Sequence, residues 1–183
     1  PMKQIEQFFK NSKGSFSQFF KKYTEYFFDL TKSVNIGSIE KMADAILEAR
    51  ESGSTIFIIG NGGSAATASH FAEDLALGAG AGKDKPIRAL SLTDNVPYLT
   101  CLSNDDGYDE IFAGQLRNLY RPGDMLIVFS GSGNSPNLIK AIKYVNSRGG
   151  QTVGVLGFDG GEAKKLCSHA VTVKSSKGHY GPV

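Results

Sequence analysis

Five short apolar runs, separated by helical segments, constrain the fold of this 183-residue chain more than any other feature. The runs are rich in β-branched residues, as is typical of parallel strands buried on both faces. They are residues 55–60, 88–92, 125–130, 151–157 and 170–174. Helical patterns lie between them at 64–77, 96–102, 111–119 and 135–148, with a short one near 162–167. This alternation predicts a doubly wound α/β sheet with right-handed crossovers.

Residues 1–53 form a predicted helical extension ahead of an α/β domain at 54–183. A short helix, broken at 12–15, precedes an aromatic stripe with three- and four-residue spacing from Phe16 to Leu30. A second stripe runs from Ile36 to Leu47 and ends near Gly53. Core packing against the sheet and contact between subunits both explain these stripes. Their size favours a role in oligomerisation.

Composition excludes several classes of partner. The net charge of +2 gives no reason to expect nucleic acid, and no apolar run is long enough to cross a membrane. The N-terminus has no signal-peptide pattern. Cys101 and Cys167 are far apart and lack metal-ligand spacing, so we expect both to be buried, inert thiols of a cytoplasmic protein.

A glycine-rich turn, Gly-Asn-Gly-Gly-Ser at 60–64, follows the first predicted strand and opens a helix. Its glycines and unpaired N–H groups suit an anion. The turn formally fits a dinucleotide pattern, but the acidic residue expected about 20 positions later is missing, so we expect no nucleotide cofactor. A tight turn without a ligand is the alternative.

A second loop, Ser-Gly-Ser-Gly-Asn-Ser-Pro at 130–136, follows the third predicted strand. Interleaved hydroxyl and amide donors suit a phosphate monoester on a small neutral molecule. No Walker lysine is present, which argues against a nucleoside triphosphate. A third predicted loop, 103–107, carries polar side chains that suit sugar hydroxyls or simply form a turn.

Residues 60–75, 89–116, 123–142 and 154–161 closely resemble the phosphoheptose isomerases of the sugar isomerase (SIS) domain superfamily. The resemblance implies a three-layer, flavodoxin-like fold with a five-stranded parallel sheet, and a homotetramer. It implies an aldose–ketose isomerase that converts sedoheptulose 7-phosphate to D-glycero-D-manno-heptose 7-phosphate by enediol proton transfer. The product is a precursor of lipopolysaccharide heptose.

The resemblance also implies roles for individual residues. His70 matches a histidine that binds zinc in some members, so His70 and Asp74 are the expected catalytic pair and the expected zinc ligands. The expected substrate-binding residues are Asn61, Gly62, Gly63, Ser64, Asn104, Asp105, Ser130, Gly131, Ser132 and Ser135.

The spacing on the helix from Ser64 bears on the choice of base. His70 and Asp74 stand at i and i+4 beside a predicted buried arc, whereas Glu73 points nearly opposite that arc, which favours Asp74 as the base. An exposed His–Asp pair without a chemical role is the alternative. We interpret His169 and His179 as structural or surface residues.

The chain departs from the family in two ways. The family carries glutamate where Asp74 stands, and the family's final helix, with a glutamine and a histidine of the site, is not represented in residues 1–183. Two other functions therefore stay open. One is a non-catalytic phosphosugar-binding or regulatory protein, such as a partner of the replication initiator. The other is an isomerase or epimerase of a different phosphosugar.

Overall fold

The computed structural model describes residues 4–79 and 84–175 of the chain. Its single sheet has five parallel strands, which are β1 (Thr55–Gly60), β2 (Arg88–Ser91), β3 (Met125–Ser130), β4 (Gln151–Gly157) and β5 (His169–Val173). The strand order is β2-β1-β3-β4-β5. The predicted five-stranded, flavodoxin-like sheet is confirmed, with every strand within one residue of its predicted bounds. The strand order reverses between β1 and β3, where ligands of such sheets bind.

The described residues contain eight α-helices, of which the last six pack on the two faces of the sheet. They are α1 (Gln4–Asn11), α2 (Phe16–Lys32), α3 (Ile36–Ser52), α4 (Gly63–Glu73), α5 (Val96–Asp105), α6 (Ala113–Leu119), α7 (Pro136–Asn146) and α8 (Gly161–Leu166). None of these helices is long and apolar enough to cross a membrane.

Two apolar clusters form the core, one on each face of the sheet. One cluster joins Ala45 of α3 and Ala68 of α4 to Ile56 and Met125 of the sheet. The other cluster joins residues of α6 and α7 to Phe57, Leu126 and Leu156 of the sheet. The central strands β1 and β3 are buried almost throughout, whereas the edge strands β2 and β5 are partly exposed. The carboxyl ends of β1 and β3 are therefore held by the most buried part of the sheet.

The sequence predicts a regular helix over residues 64–77 after β1, but the regular helix ends at Glu73. Beyond Glu73 the backbone widens into a π-helix over Asp74–Ala79. The apolar periodicity does not distinguish the two helix types, because it reports which face is buried and not the hydrogen-bond register. The wide turn begins at Asp74, and π-helical turns occur frequently at functional sites. Residues 80–82 of the glycine-rich segment 78–82 lie outside the described residues.

The N-terminal helices confirm the predicted break and show where the aromatic stripe lies. Phe8 packs edge-on against Tyr26, with ring centroids 5.6 Å apart, and so joins α1 to α2. Many apolar side chains of α1 to α3 are nevertheless exposed, including Phe9, Phe16, Phe20, Phe27, Phe28, Ile36, Ile39 and Leu47. Only α3 contributes to the core of the sheet, through its last turns. The role of the stripe in oligomerisation stays a prediction.

Two local expectations are wrong. Residues 103–105 are not in a loop, because α5 continues through Asp105 and only then turns at Gly107, whose φ is 96°. Cys101 is exposed on the same helix and is not buried. Cys167 is only half-buried, and this partial burial raises the pKa of its thiol to about 11.

Candidate functional site

A cleft of about 350 Å³ opens between the carboxyl ends of β1 and β3, where the strand order reverses. We name it the serine–glycine cleft. Its lining residues carry no charge, and most are those that the sequence selects. They are Asn61, Gly63, Ser64, Phe129, Ser130, Gly131, Ser132, Ser135 and Leu138. Gly62 does not line the cleft and instead caps α4.

The turn between β1 and α4 requires glycine for steric reasons. A Cβ atom on Gly60 would lie 2.4 Å from the carbonyl oxygen of Ser64, and Gly62 has a φ of 55°. Bulkier residues would push the start of α4 away from the strand. Because Gly63 and Ser64 line the cleft, the turn directs the positive end of the helix dipole of α4 toward it, which favours an anion.

Residues 130–136, between β3 and α7, form the serine loop. Some of its hydroxyl groups stabilise the loop, and others are available to a ligand. Ser130 Oγ is buried and accepts a hydrogen bond from the Gly133 N–H at 3.0 Å, so it shapes the loop. Ser132 Oγ accepts from the Asn134 N–H at 3.3 Å. Ser135 stands at the N-cap of α7 but makes no capping bond with its side chain. Its hydroxyl therefore remains available to a ligand in the cleft.

The loop between β4 and α8 packs against the serine loop and is hydrogen-bonded to it. A Cβ on Gly133 would lie 2.0 Å from the carbonyl oxygen of Gly160, so these two backbones are in direct contact. The Ala163 N–H donates to the Gly133 carbonyl at 2.9 Å, and the Glu162 N–H donates to Asn134 Oδ1 at 2.9 Å. The loop conformation is therefore fixed before a ligand arrives.

Asn137 and Tyr108 belong to the candidate site, although the sequence analysis does not select them. Asn61 and Asn137 exchange two side-chain hydrogen bonds, and the Tyr108 hydroxyl donates to Asn61 Oδ1 at 3.1 Å. Because Asn61 Oδ1 already accepts twice, Asn61 is left to serve a ligand as a donor. A weak signal was present for Asn137, which is a polar residue among the apolar residues on the buried face of α7.

A second cleft, of about 580 Å³, shares Asn61 with the serine–glycine cleft. Its polar lining includes Thr93, Ser103 and Asn104, which fits the expectation that Asn104 contacts sugar hydroxyls. Asp105 does not line this cleft. Its carboxylate accepts from Asn104 Nδ2 at 2.7 Å and from Cys101 Sγ at 3.3 Å, and these bonds hold the pKa of Asp105 below its ordinary value. Asp105 therefore orients Asn104.

His70 and Asp74 form an exposed cluster with Glu73 beyond both clefts. His70 Nε2 lies 3.7 Å from Asp74 Oδ2 and 4.0 Å from Glu73 Oε2. Glu73 stands three residues after His70 on the same helix and therefore reaches it too. Of the other histidines, His169 begins β5 and is half-buried, and His179 lies outside the described residues.

The exposed cluster and the serine–glycine cleft lie along one helix. Ser64 lies at the start of this helix, and Thr67, His70 and Asp74 follow along one face at spacings of three and four residues. At 1.5 Å per residue, His70 stands about 9 Å along the axis from Ser64. The same helix thus presents an anion site at its start and a histidine–carboxylate pair near its end.

Comparison with known proteins gives consistent matches. The SIS domain family matches residues 18–157. The probable phosphoheptose isomerase of Thermoplasma acidophilum is 38% identical over 155 residues, covering 85% of this chain and 85% of that protein. The phosphoheptose isomerase of Pelobacter propionicus is 40% identical over 134 residues, covering 73% and 70%. The structure of phosphoheptose isomerase GmhA from Neisseria gonorrhoeae superposes with a TM-score of 0.81 at 28% identity, covering 90% and 89%.

Proposed function

The chain belongs to the phosphoheptose isomerases of the SIS domain family and is a sugar-phosphate isomerase, and we propose sedoheptulose 7-phosphate as its substrate. The product is then D-glycero-D-manno-heptose 7-phosphate. The observation that carries this proposal is the serine–glycine cleft, which combines hydroxyl groups, backbone amides and the N-terminus of α4 around a space of about 350 Å³. Such neutral donors suit a phosphate group.

The distance between the cleft and the histidine cluster supports a long sugar phosphate. Sedoheptulose 7-phosphate carries its phosphate at C7 and its carbonyl at C2, so phosphate binding and proton transfer must occur at separate places. The part of α4 between Ser64 and His70 provides such a separation, of about 9 Å along the helix axis. The second cleft adjoins the serine–glycine cleft at Asn61 and adds polar side chains that suit sugar hydroxyl groups.

The proposed proton transfer uses the cluster near the end of α4. In this proposal Asp74 takes a proton from C1, which leaves an enediol, and the proton is returned to C2. His70 serves the two enediol oxygens by donating to O2 and accepting from O1. Glu73 Oε2, 4.0 Å from His70 Nε2, belongs to a second carboxylate of the same cluster.

The same three side chains fit zinc. Each offers one ligand atom, and these atoms all lie within 4.8 Å of one another. Imidazole nitrogen and carboxylate oxygen are ordinary zinc ligands, and three protein ligands leave a position open for substrate. A zinc ion bound there would supply Lewis-acid polarisation of the substrate carbonyl. We expect His70→Ala to lose bound zinc in a metal analysis of the purified protein.

The remaining parts of the proposal are a homotetramer in the cytoplasm, supplying heptose for lipopolysaccharide. The exposed aromatic side chains of α1 and α2 support subunit contact. The test of function is incubation of the full-length protein with sedoheptulose 7-phosphate, followed by NMR detection of the aldose. Appearance of the aldose supports the proposal. Binding without turnover would favour the non-catalytic alternative.

A further inference from the structure

We propose that Tyr108 is a substrate-binding residue that contacts the sugar and discriminates a sugar phosphate from free phosphate. Tyr108 stands in a 3₁₀ turn, Tyr108–Glu110, between α5 and α6. Its hydroxyl donates to Asn61 Oδ1 at 3.1 Å, and Asn61 lines both clefts. The Tyr108 side chain therefore stands where the sugar leaves the serine–glycine cleft. This inference rests on the proposed function and names one more residue of the same site.

The Tyr108 ring is available to a ligand. The residue is 58% exposed although it lines the second cleft, so a bound sugar could cover much of the ring. Aromatic rings in binding sites provide an apolar wall for the C–H groups of a ligand. The Tyr108 oxygen donates its proton to Asn61, and it keeps lone pairs that can accept from a sugar hydroxyl.

The turn that carries Tyr108 is anchored to neighbouring helices by ion pairs. The Glu110 carboxylate accepts from Lys140 Nζ of α7 at 3.0 Å and from Arg117 Nη1 of α6 at 2.9 Å. Lys140 Nζ also lies 3.6 Å from the carboxylate of Asp109. Because α7 begins at the serine loop, these bonds fix the Tyr108 turn relative to the proposed phosphate site.

The experiment is isothermal titration calorimetry of the full chain with two probes, inorganic phosphate and sedoheptulose 7-phosphate. Tyr108→Phe removes the hydroxyl and keeps the ring, and we expect a loss of roughly threefold to tenfold in sugar-phosphate affinity. Tyr108→Ala also removes the ring, and we expect a loss of roughly tenfold to a hundredfold. Phosphate affinity should stay within about twofold in both variants, because phosphate occupies only the serine–glycine cleft.

Tyr98→Ala is the matched control, since Tyr98 is an exposed tyrosine on α5 that lies outside the residues lining the two clefts. It should change neither affinity. Equal losses for both probes in Tyr108→Ala would mean that the residue only holds the loop, and unchanged sugar-phosphate affinity would mean that it makes no contact. Either result overturns the inference.

Binding and turnover are separate readouts, so the two proposals can fail separately. A wild-type chain that binds sedoheptulose 7-phosphate without isomerising it contradicts the proposed function, and the Tyr108 variants still decide this inference. A wild-type chain that does not bind sedoheptulose 7-phosphate contradicts both.

Discussion

Asn61 and Asn137, 76 positions apart in the sequence, exchange hydrogen bonds through their side-chain amides. Asn61 Nδ2 donates to Asn137 Oδ1 at 3.0 Å, and Asn137 Nδ2 donates to Asn61 Oδ1 at 2.9 Å. Asn137 is 1% exposed and its Oδ1 also accepts from the Leu138 N–H. This pair ties the turn after β1 to the first turn of α7, so the two walls of the serine–glycine cleft are held at a fixed separation.

Removing Asn137 should therefore weaken both the fold and the cleft. Asn137→Ala leaves a half-buried amide of Asn61 without its partner, and we expect the free energy of unfolding to fall by about 1–3 kcal/mol. Inorganic phosphate should also bind more weakly, because the walls of the cleft are no longer joined. Chemical denaturation and phosphate titration measure the two effects.

The matched control for Asn137 is Asn146→Ala. Asn146 is also on α7 and donates to the Leu166 carbonyl at 2.8 Å, but it is exposed and lies at the other end of the helix. It should leave phosphate affinity unchanged. Weaker phosphate binding in Asn146→Ala would count against the link between the Asn61–Asn137 pair and the cleft. Unchanged phosphate binding in Asn137→Ala would count against it too.

Ser135 should contribute to phosphate affinity without contributing to folding. Its side chain makes no capping bond to α7, so Ser135→Ala removes only a donor to the ligand. A hydrogen bond to a charged group contributes about 1.5–3 kcal/mol, and we expect phosphate affinity to fall roughly tenfold to a hundredfold. The melting temperature should stay within about two degrees of the wild type.

The matched control for Ser135 is Ser147→Ala at the other end of α7. The Ser147 hydroxyl donates to the Tyr144 carbonyl at 2.7 Å, away from the cleft. Phosphate affinity should be unchanged in this variant. An unchanged affinity in Ser135→Ala itself would show that the Ser135 hydroxyl does not bind the phosphate.

The contact between Gly133 and Gly160 should not tolerate a methyl group. Gly133→Ala adds left-handed strain at a φ of 65° and places Cβ 2.0 Å from the Gly160 carbonyl oxygen. We expect a loss of roughly 2–6 kcal/mol in the free energy of unfolding, from strain and overpacking together. Gly149→Ala is the control, since Gly149 has a φ of 69° with nothing within 4 Å of its Cβ position. It should lose only about 1–2 kcal/mol, and equal losses in the two variants would refute the contact argument.

The exposed aromatic stripe on α2 predicts association of subunits. Phe16 and Phe20 stack with ring centroids 6.2 Å apart and are 75% and 58% exposed. The double substitution Phe16→Asp and Phe20→Asp should lower the mass measured by size-exclusion chromatography with light scattering, because it places charges in the apolar contact. Lys21→Asp, on the same helix, should not. A monomeric wild-type protein would contradict this prediction.

The sequence was sufficient for the fold because each central strand and its following loop carry a local signal. Residues 56–59 and 125–129 are apolar throughout, and each run is followed by glycines and serines at the edge where ligands bind. The two loops meet in one cleft because the carboxyl ends of neighbouring parallel strands lie side by side.

Other features of the site depend on tertiary contacts and had no local signal. The pairing of Asn137 with Asn61 requires knowledge of which elements are neighbours. The residues at the end of α5 are turn formers and so predicted a loop, but a packed helix tolerates them in its last turn, and α5 continues through Asp105. The π-helix at Asp74 depends on hydrogen-bond register, which residue spacing does not determine.

The most direct test of the central claim is the rate at which the full-length protein converts sedoheptulose 7-phosphate to the aldose, compared between the wild type, Asp74→Asn and Glu73→Gln. The account predicts measurable wild-type turnover, a loss of at least about a hundredfold in Asp74→Asn, and a smaller loss in Glu73→Gln, with phosphate binding preserved in all three. Wild-type turnover that survives in Asp74→Asn would contradict the assignment of the base, and the absence of turnover in the wild type would contradict the proposed reaction itself.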